Sequence, residues 1–139
     1  MNLIRFTTVL IAACALSTGS TAQNGTKNAP VWPTKPIKFL VGFPGGSTPD
    51  MSARTLAEPL SKLLGQPVVV ENRPGASGNI AADLVAKVAD DHTFGVVING
   101  NLTSAKMLNP RLAFDPATDF SFISLLTTAP LILVTNADK

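Results

Sequence analysis

Cysteine occurs once, at Cys14, and histidine once, at His92, in a chain of 139 residues. A lone thiol forms no intrachain disulfide, and metal clusters held by cysteine are excluded with it. Charge is scarce as well. Only 14% of the residues are charged, the formal net charge is +2 and no basic cluster occurs, so nucleic acid is not a partner this chain would attract. His92 follows Asp90 and Asp91 in a turn ahead of an apolar run and reads as a surface turn residue, not a catalytic base. No Ser-His-Asp set, catalytic carboxylate pair, metal-ligand cluster, GxxxxGK[ST] loop or spaced GxGxxG is present, so we expect no catalytic residue, no metal and no cofactor. Disorder is excluded too, because 45% of the residues are hydrophobic, and the length sets one compact unit as the ceiling.

The apolar run Phe6 to Leu16 is too short to span a bilayer as a permanent helix. With Arg5 before it and Ser20-Thr21-Ala22 after it, residues 1–22 read as an export signal cleaved after Ala22. Ile11-Ala12-Ala13-Cys14 also resembles a lipoprotein processing box, which leaves lipid anchoring at Cys14 as the alternative. Residues 23–35 are polar and read as a flexible mature N-terminus, with Trp32 expected to cover the first strand.

The stretch from Pro36 to Arg54 carries the richest signal. An apolar run from Ile37 to Val41 reads as a buried strand, and it stops at a Pro/Gly cluster from which an amphipathic helix departs. The first N–H groups of such a helix lack intrahelical partners and carry the positive end of its dipole, a place suited to a carboxylate or phosphate. Gly45 and Gly46 let backbone approach a ligand, and Asp50 is placed to cap the helix. A Gly-Gly turn with an acidic cap also occurs in strand-helix units that bind nothing, so the rest of the chain has to decide.

That helix should run from Thr48 or Asp50 to Leu64, with Gly65 ending it and Pro59 kinking or breaking it. Val68 to Asn72 gives a second strand, Arg73 to Asn79 a second Gly-rich loop, and Ile80, Leu84, Val85 and Val88 the face of a second helix. Asp83 and Lys87 form a solvated pair on it. Phe94 to Ile98 is a third strand, and Asn99 to Ser104 a third polar loop. Leu102 to Leu108 should make a short helix, Phe114 to Phe120 a turn with aromatic anchors, and 122–126 and 131–134 two further strands. Strands alternating with helices predict an α/β fold whose parallel sheet gathers its polar loops, and any ligand, on one edge.

Together these residues resemble the periplasmic solute-binding receptors of tripartite tricarboxylate transporters, the Bug receptors. The resemblance is carried by the opening strand and loop, by Leu63 to Asn79, by Ala82-Asp83-Leu84-Val85-Ala86-Lys87, by Leu108-Asn109-Pro110, and by Phe114-Asp115-Pro116 with Asp119-Phe120. It covers the chain from Trp32 to Lys139. It implies a periplasmic-binding-protein-like fold of type II, a two-domain clamp closing on a small carboxylate. It also implies a periplasmic location, membrane transporter subunits as partners and a monomer at full length. Carried over by position, the ligand-binding residues are Gly45, Gly46, Ser47, Thr48 and Asp50 in the first loop and Ala76, Ser77, Gly78 and Asn79 in the second. Thr103 and Ser104 in the third loop would add hydroxyls.

Three departures accompany it. Ser47 stands where a glycine is common, and Asp91-His92-Thr93-Phe94 replaces the familiar Asp-Gly-Tyr-Thr turn. The family's chains are more than twice as long, so residues 36–126 would form an incomplete first domain and 127–139 the start of a crossover to a second. Two other classes stay open: an exported small hydrolase or transferase using the loops as an oxyanion site, and a truncated product that binds nothing.

Overall fold

The computed structural model describes residues 31–130 and 132–137. The expected leader, Cys14 and the polar stretch up to residue 30 lie outside the described residues, as does Leu131 of the last expected strand.

Among the described residues three parallel strands form the sheet: β1 (Ile37–Val41), β2 (Val68–Asn72) and β3 (Thr93–Val96), in the order β2-β1-β3. The first strand in the chain is therefore the central one. Its N–H groups alternate between neighbours: Ile37 donates to the Pro67 carbonyl and Lys38 to the His92 carbonyl, both at 2.8 Å. Helix α1 (Thr48–Leu64) connects β1 to β2, and α2 (Asn79–Lys87) connects β2 to β3.

The register shows which helix covers which face. Phe39 pairs with Val70 and Phe94, and Val41 with Val96, so these side chains share one face, where they pack with Ala53 of α1. Leu40 pairs with Gly95 on the other face, and a Cβ on Gly95 would lie 3.1 Å from the side chain of Val85 of α2. Small residues permit both approaches. Ala53 and Ala57 of α1 and Ala81 and Ala82 of α2 are buried, and full burial of Val41 contributes about 2 kcal/mol.

Helix α1 is not ended by Pro59, which lies on its exposed side, where the carbonyl left without a donor meets solvent. Gly65 stops the helix with φ of 69°, its N–H on the Ser61 carbonyl. At the start, Asp50 is not the cap. Ser47 holds that position, while Asp50 is the third helical residue and its carboxylate reaches back to the Gly46 N–H at 2.8 Å.

His92 corrects the surface reading. Its side chain is buried: Thr34 donates its N–H to Nε2 at 3.0 Å, and Nδ1 meets the Asp91 carboxylate. Trp32 covers it, with ring centroids 5.7 Å apart, and stacks edge-on with Phe94 of β3 at 6.4 Å, so the tryptophan lies over the third strand, not the first.

Past β3 the chain departs further from expectation. The strand ends at Val96, and the third loop is wound into two short helices, α3 (Asn99–Leu102) and α4 (Ser104–Leu108), on either side of Thr103. Phe114 is buried against Phe120, as the aromatic turn requires. Residues 122–126 and 132–134 are not strands: no ladder partners them among the described residues, and Phe122, Ile123, Leu125, Ile132, Leu133 and Val134 are exposed. Strand composition without a neighbouring strand leaves every ladder hydrogen bond unmade.

Candidate functional site

The loops that follow all three strands emerge at one edge, because the strands are parallel. The chain moves from β1 outward to β2, then crosses back to β3 on the other side of β1. The direction of winding reverses between β1 and β3, the usual ligand position of such sheets.

The first loop, residues 42–47, is braced from below. Asp50, buried, accepts the Gly46 N–H at 2.8 Å, Arg54 Nε at 3.1 Å and Asn72 Nδ2 at 2.8 Å. Asn72 also donates to the Phe43 carbonyl at 2.9 Å and accepts from Arg54 at 3.0 Å. The Arg54 guanidinium, then the Gly46 N–H and the Asn72 amide, hold the Asp50 carboxyl down at about 2 against the opposing effect of burial. Its carboxylate is thus committed to the loop, and Asp50 offers the site only its backbone N–H. The Ser47 hydroxyl donates to the Pro44 carbonyl at 2.7 Å, so no side chain caps α1 and its first N–H groups keep no intrahelical partner.

The second loop has an unusual backbone. Gly75, Ala76, Ser77 and Gly78 have φ of 140°, 47°, 54° and 90°, four positive values in a row, two of them at residues other than glycine. The turn is closed from within: the Gly78 N–H donates to the Gly75 carbonyl at 2.9 Å and the Asn79 N–H to the Ala76 carbonyl, which leaves those of Ala76 and Ser77 without a backbone partner among the described residues. The loop touches the first one directly: a Cβ on Gly42 would lie 2.5 Å from Gly78 Cα, and one on Gly78 would lie 2.9 Å from the Phe43 ring. Only two glycines allow that contact.

The third loop is tied to the second by Asn101, which is buried. Its Nδ2 donates to the Ser77 carbonyl at 2.9 Å and to Asn79 Oδ1 at 2.7 Å, and its Oδ1 accepts the Ile98 N–H at 3.1 Å. Thr103 and Ser104 are exposed, with hydroxyls turned to the Asn99 and Gly100 carbonyls at 3.0 and 3.4 Å. Gly45, Gly46 and Thr48 are exposed at the first loop, Ala76 and Ser77 at the second, and Asn79 is half-buried.

Sequence reasoning missed three residues: Asn72, Arg54 and Asn101. Asn72 ends a run of β-branched residues with a side-chain amide, and Asn101 sits in the polar loop after β3; each position carried a signal in its composition, but none in its partners. The open grooves add little. One of about 540 Å³ begins at Gly46 and Thr48 and runs along α1 to Ser124–Thr127, and another of about 420 Å³ follows α1 and β2 away from the loops.

Such an edge offers backbone N–H groups, amides and hydroxyls. His92 lies before β3, at the sheet's other end, so no base stands beside a nucleophile at these loops. Among the described residues no group of three or more His, Cys, Asp and Glu could hold a metal ion, and no helix is long and apolar enough to cross a membrane.

A parallel α/β sheet with its donors collected at one edge is the architecture of periplasmic binding proteins, and solved structures of that class match it. The R. palustris protein Rpa4515 with adipate has a TM-score of 0.60 and 44% identity, over 63% of this chain and 29% of that one. MatC from Rhodopseudomonas palustris with bound malate has a TM-score of 0.61 and 36% identity, over 68% and 32%. Protein BugT of Bordetella pertussis is 36% identical over 98% of this chain and 41% of its own length. The family model described as tripartite tricarboxylate transporter family receptor matches residues 52–139. The chain belongs to that receptor family. It spans about two fifths of the length of the curated relatives it matches.

Proposed function

We propose that this chain supplies the carboxylate-gripping loops of a periplasmic solute-binding receptor that hands its ligand to membrane subunits of a tripartite transporter. The observation that carries the reading is the direct contact of the first and second loops at Gly42 and Gly78, which brings the two loops together at one edge of the sheet. Gly45 and Thr48 grip the anion from the first loop through their N–H groups, with that of Asp50, while Gly46 and Ser47, bonded to the Asp50 carboxylate and the Pro44 carbonyl, set the shape of the corner. Ala76 and Ser77 grip it from the second through their N–H groups and Asn79 through its side chain, while Gly78, buried with its N–H on the Gly75 carbonyl, shapes the loop, and Thr103 and Ser104 stand at its border. Donors without a base suit a receptor, which must hold an anion unchanged. The adipate and malate bound by the two R. palustris relatives support a dicarboxylate of that size.

In this reading residues 36–126 belong to one lobe, 127–139 lead away from it, and a second lobe supplies most of the selectivity. Malate and adipate titrated into the isotope-labelled chain, followed by amide NMR, test it. Shifts at Gly46, Thr48 and residues 76–79, saturating in the millimolar range or tighter, are expected. Shifts confined to other parts of the sheet, or none at either loop, overturn it.

A further inference from the structure

We propose that Asn101 is a positioning residue: it fixes the side-chain amide of Asn79 with its oxygen inward, so that Asn79 Nδ2 is the donor the second loop offers to a carboxylate. The proposal rests on the carboxylate reading for its ligand, but not for the orientation.

The orientation follows from what each neighbour is able to do. The Ile98 N–H only donates, so the Asn101 atom 3.1 Å from it is oxygen. The Ser77 carbonyl only accepts, so the Asn101 atom 2.9 Å from it is the nitrogen. Two unambiguous backbone groups therefore fix the Asn101 amide, and burial leaves it no water with which to compensate a flip. The same nitrogen donates to Asn79 at 2.7 Å, so the Asn79 atom facing it is oxygen. Its own Nδ2 is left over, without a partner among the described residues, on a half-buried side chain at the first position of α2. An anion arriving at this loop then meets a donor; with Asn79 reversed it would meet lone pairs. No sequence spacing reveals this, since Asn101 and Asn79 are 22 positions apart.

Amide NMR of the full chain, wild type against Asn101→Asp and Asn79→Asp, tests the proposal with malate as the probe. Asn101→Asp keeps the acceptor for Ile98 but turns a second oxygen on Asn79, which must reverse its amide. Asn79→Asp keeps the acceptor for Asn101 and puts an oxygen where Nδ2 was. Malate should move the Asn79 side-chain signals in the wild type, and each substitution should weaken malate binding by at least about tenfold. Without ligand, Asn101→Asp should displace the Asn79 side-chain signals further than the backbone amides of Ser77 and Gly78, whereas a merely structural role, acting through the Ser77 carbonyl that the same atom faces, would move those amides at least as far; Asn79→Asp leaves the Asn101 signals in place. Undiminished malate binding in either variant overturns the proposal, as does a wild type whose loop amides move while the Asn79 side chain does not. Should malate move no loop amide in the wild type, the carboxylate reading fails by itself. The ligand-free arm then decides, an unmoved Asn79 signal in Asn101→Asp overturning the positioning and a displaced one upholding it. If Asn101→Asp does not fold, Asn101→Ser, which removes the donor to Asn79 without adding charge, decides: Asn79 side-chain signals and malate affinity unchanged from the wild type overturn the proposal, and both altered uphold it.

Discussion

Asp50 joins three segments through one carboxylate: the Gly46 N–H of the first loop, Arg54 one turn along α1, and Asn72 at the end of β2. Its pKa is lowered from the ordinary 3.8 to about 2, chiefly by Arg54 and next by Gly46 and Asn72. A depressed folded-state pKa contributes stability that is fully present above the unfolded value and drains away as the pH falls through the folded one. Thermal melts followed by circular dichroism should therefore show a midpoint that drops as the pH falls from 3.8 toward 2, more steeply in the wild type than in Asp50→Asn. The difference will be partial. Asp90 titrates in the same window, held at about 2 where burial opposes and hydrogen bonds from Lys35 and the His92 N–H outweigh it. Asp50's place at the start of α1 was legible in the sequence; its partner Asn72, 22 positions away, was not. His92 was misread for a similar reason. Its neighbours Asp90 and Asp91 look like a surface turn, and only the fold brings Trp32 and Thr34 over the ring.

At the scale of elements, α1 shows how packing overrides a local breaker. A proline inside a helix costs about 3 kcal/mol relative to alanine, yet α1 runs through Pro59 because Ala53 and Ala57 are locked against the sheet on the opposite side. Pro59→Ala should raise stability by about 1–3 kcal/mol, read as a higher urea midpoint at unchanged slope. The three strands and two long helices were legible from periodicity, since each has a face to bury. Residues 122–126 and 132–134 have the same β-branched, apolar composition and form no strand, because composition cannot supply a neighbour to pair with. The third loop was legible as polar, and the short helix expected over Leu102 to Leu108 is met by α4 (Ser104–Leu108), but α3 was not legible. A helix of four residues gives little more than one turn of repeat, too little for a period to register.

For the whole molecule, the apolar side chains of Phe122, Ile123, Leu125, Ile132, Leu133 and Val134 and those of Met107 and Leu108 form exposed surface of the kind that drives association. Light scattering at micromolar concentration should find the chain self-associating, and Ile123→Lys should reduce that while leaving the thermal midpoint unchanged, since Ile123 is 76% exposed. The order β2-β1-β3 carries a consequence for time as well as space. The strand that ribosomes complete first has both flanks to fill, and cannot finish until the chain has been made as far as residues 93–96. Once zipped, it is the hardest to reopen, because loosening either neighbour leaves the other ladder closed. Deuterium should enter the amides of Phe39 and Leu40 more slowly than any in β2 or β3, so the earliest piece of sheet to be synthesised is the last to let go.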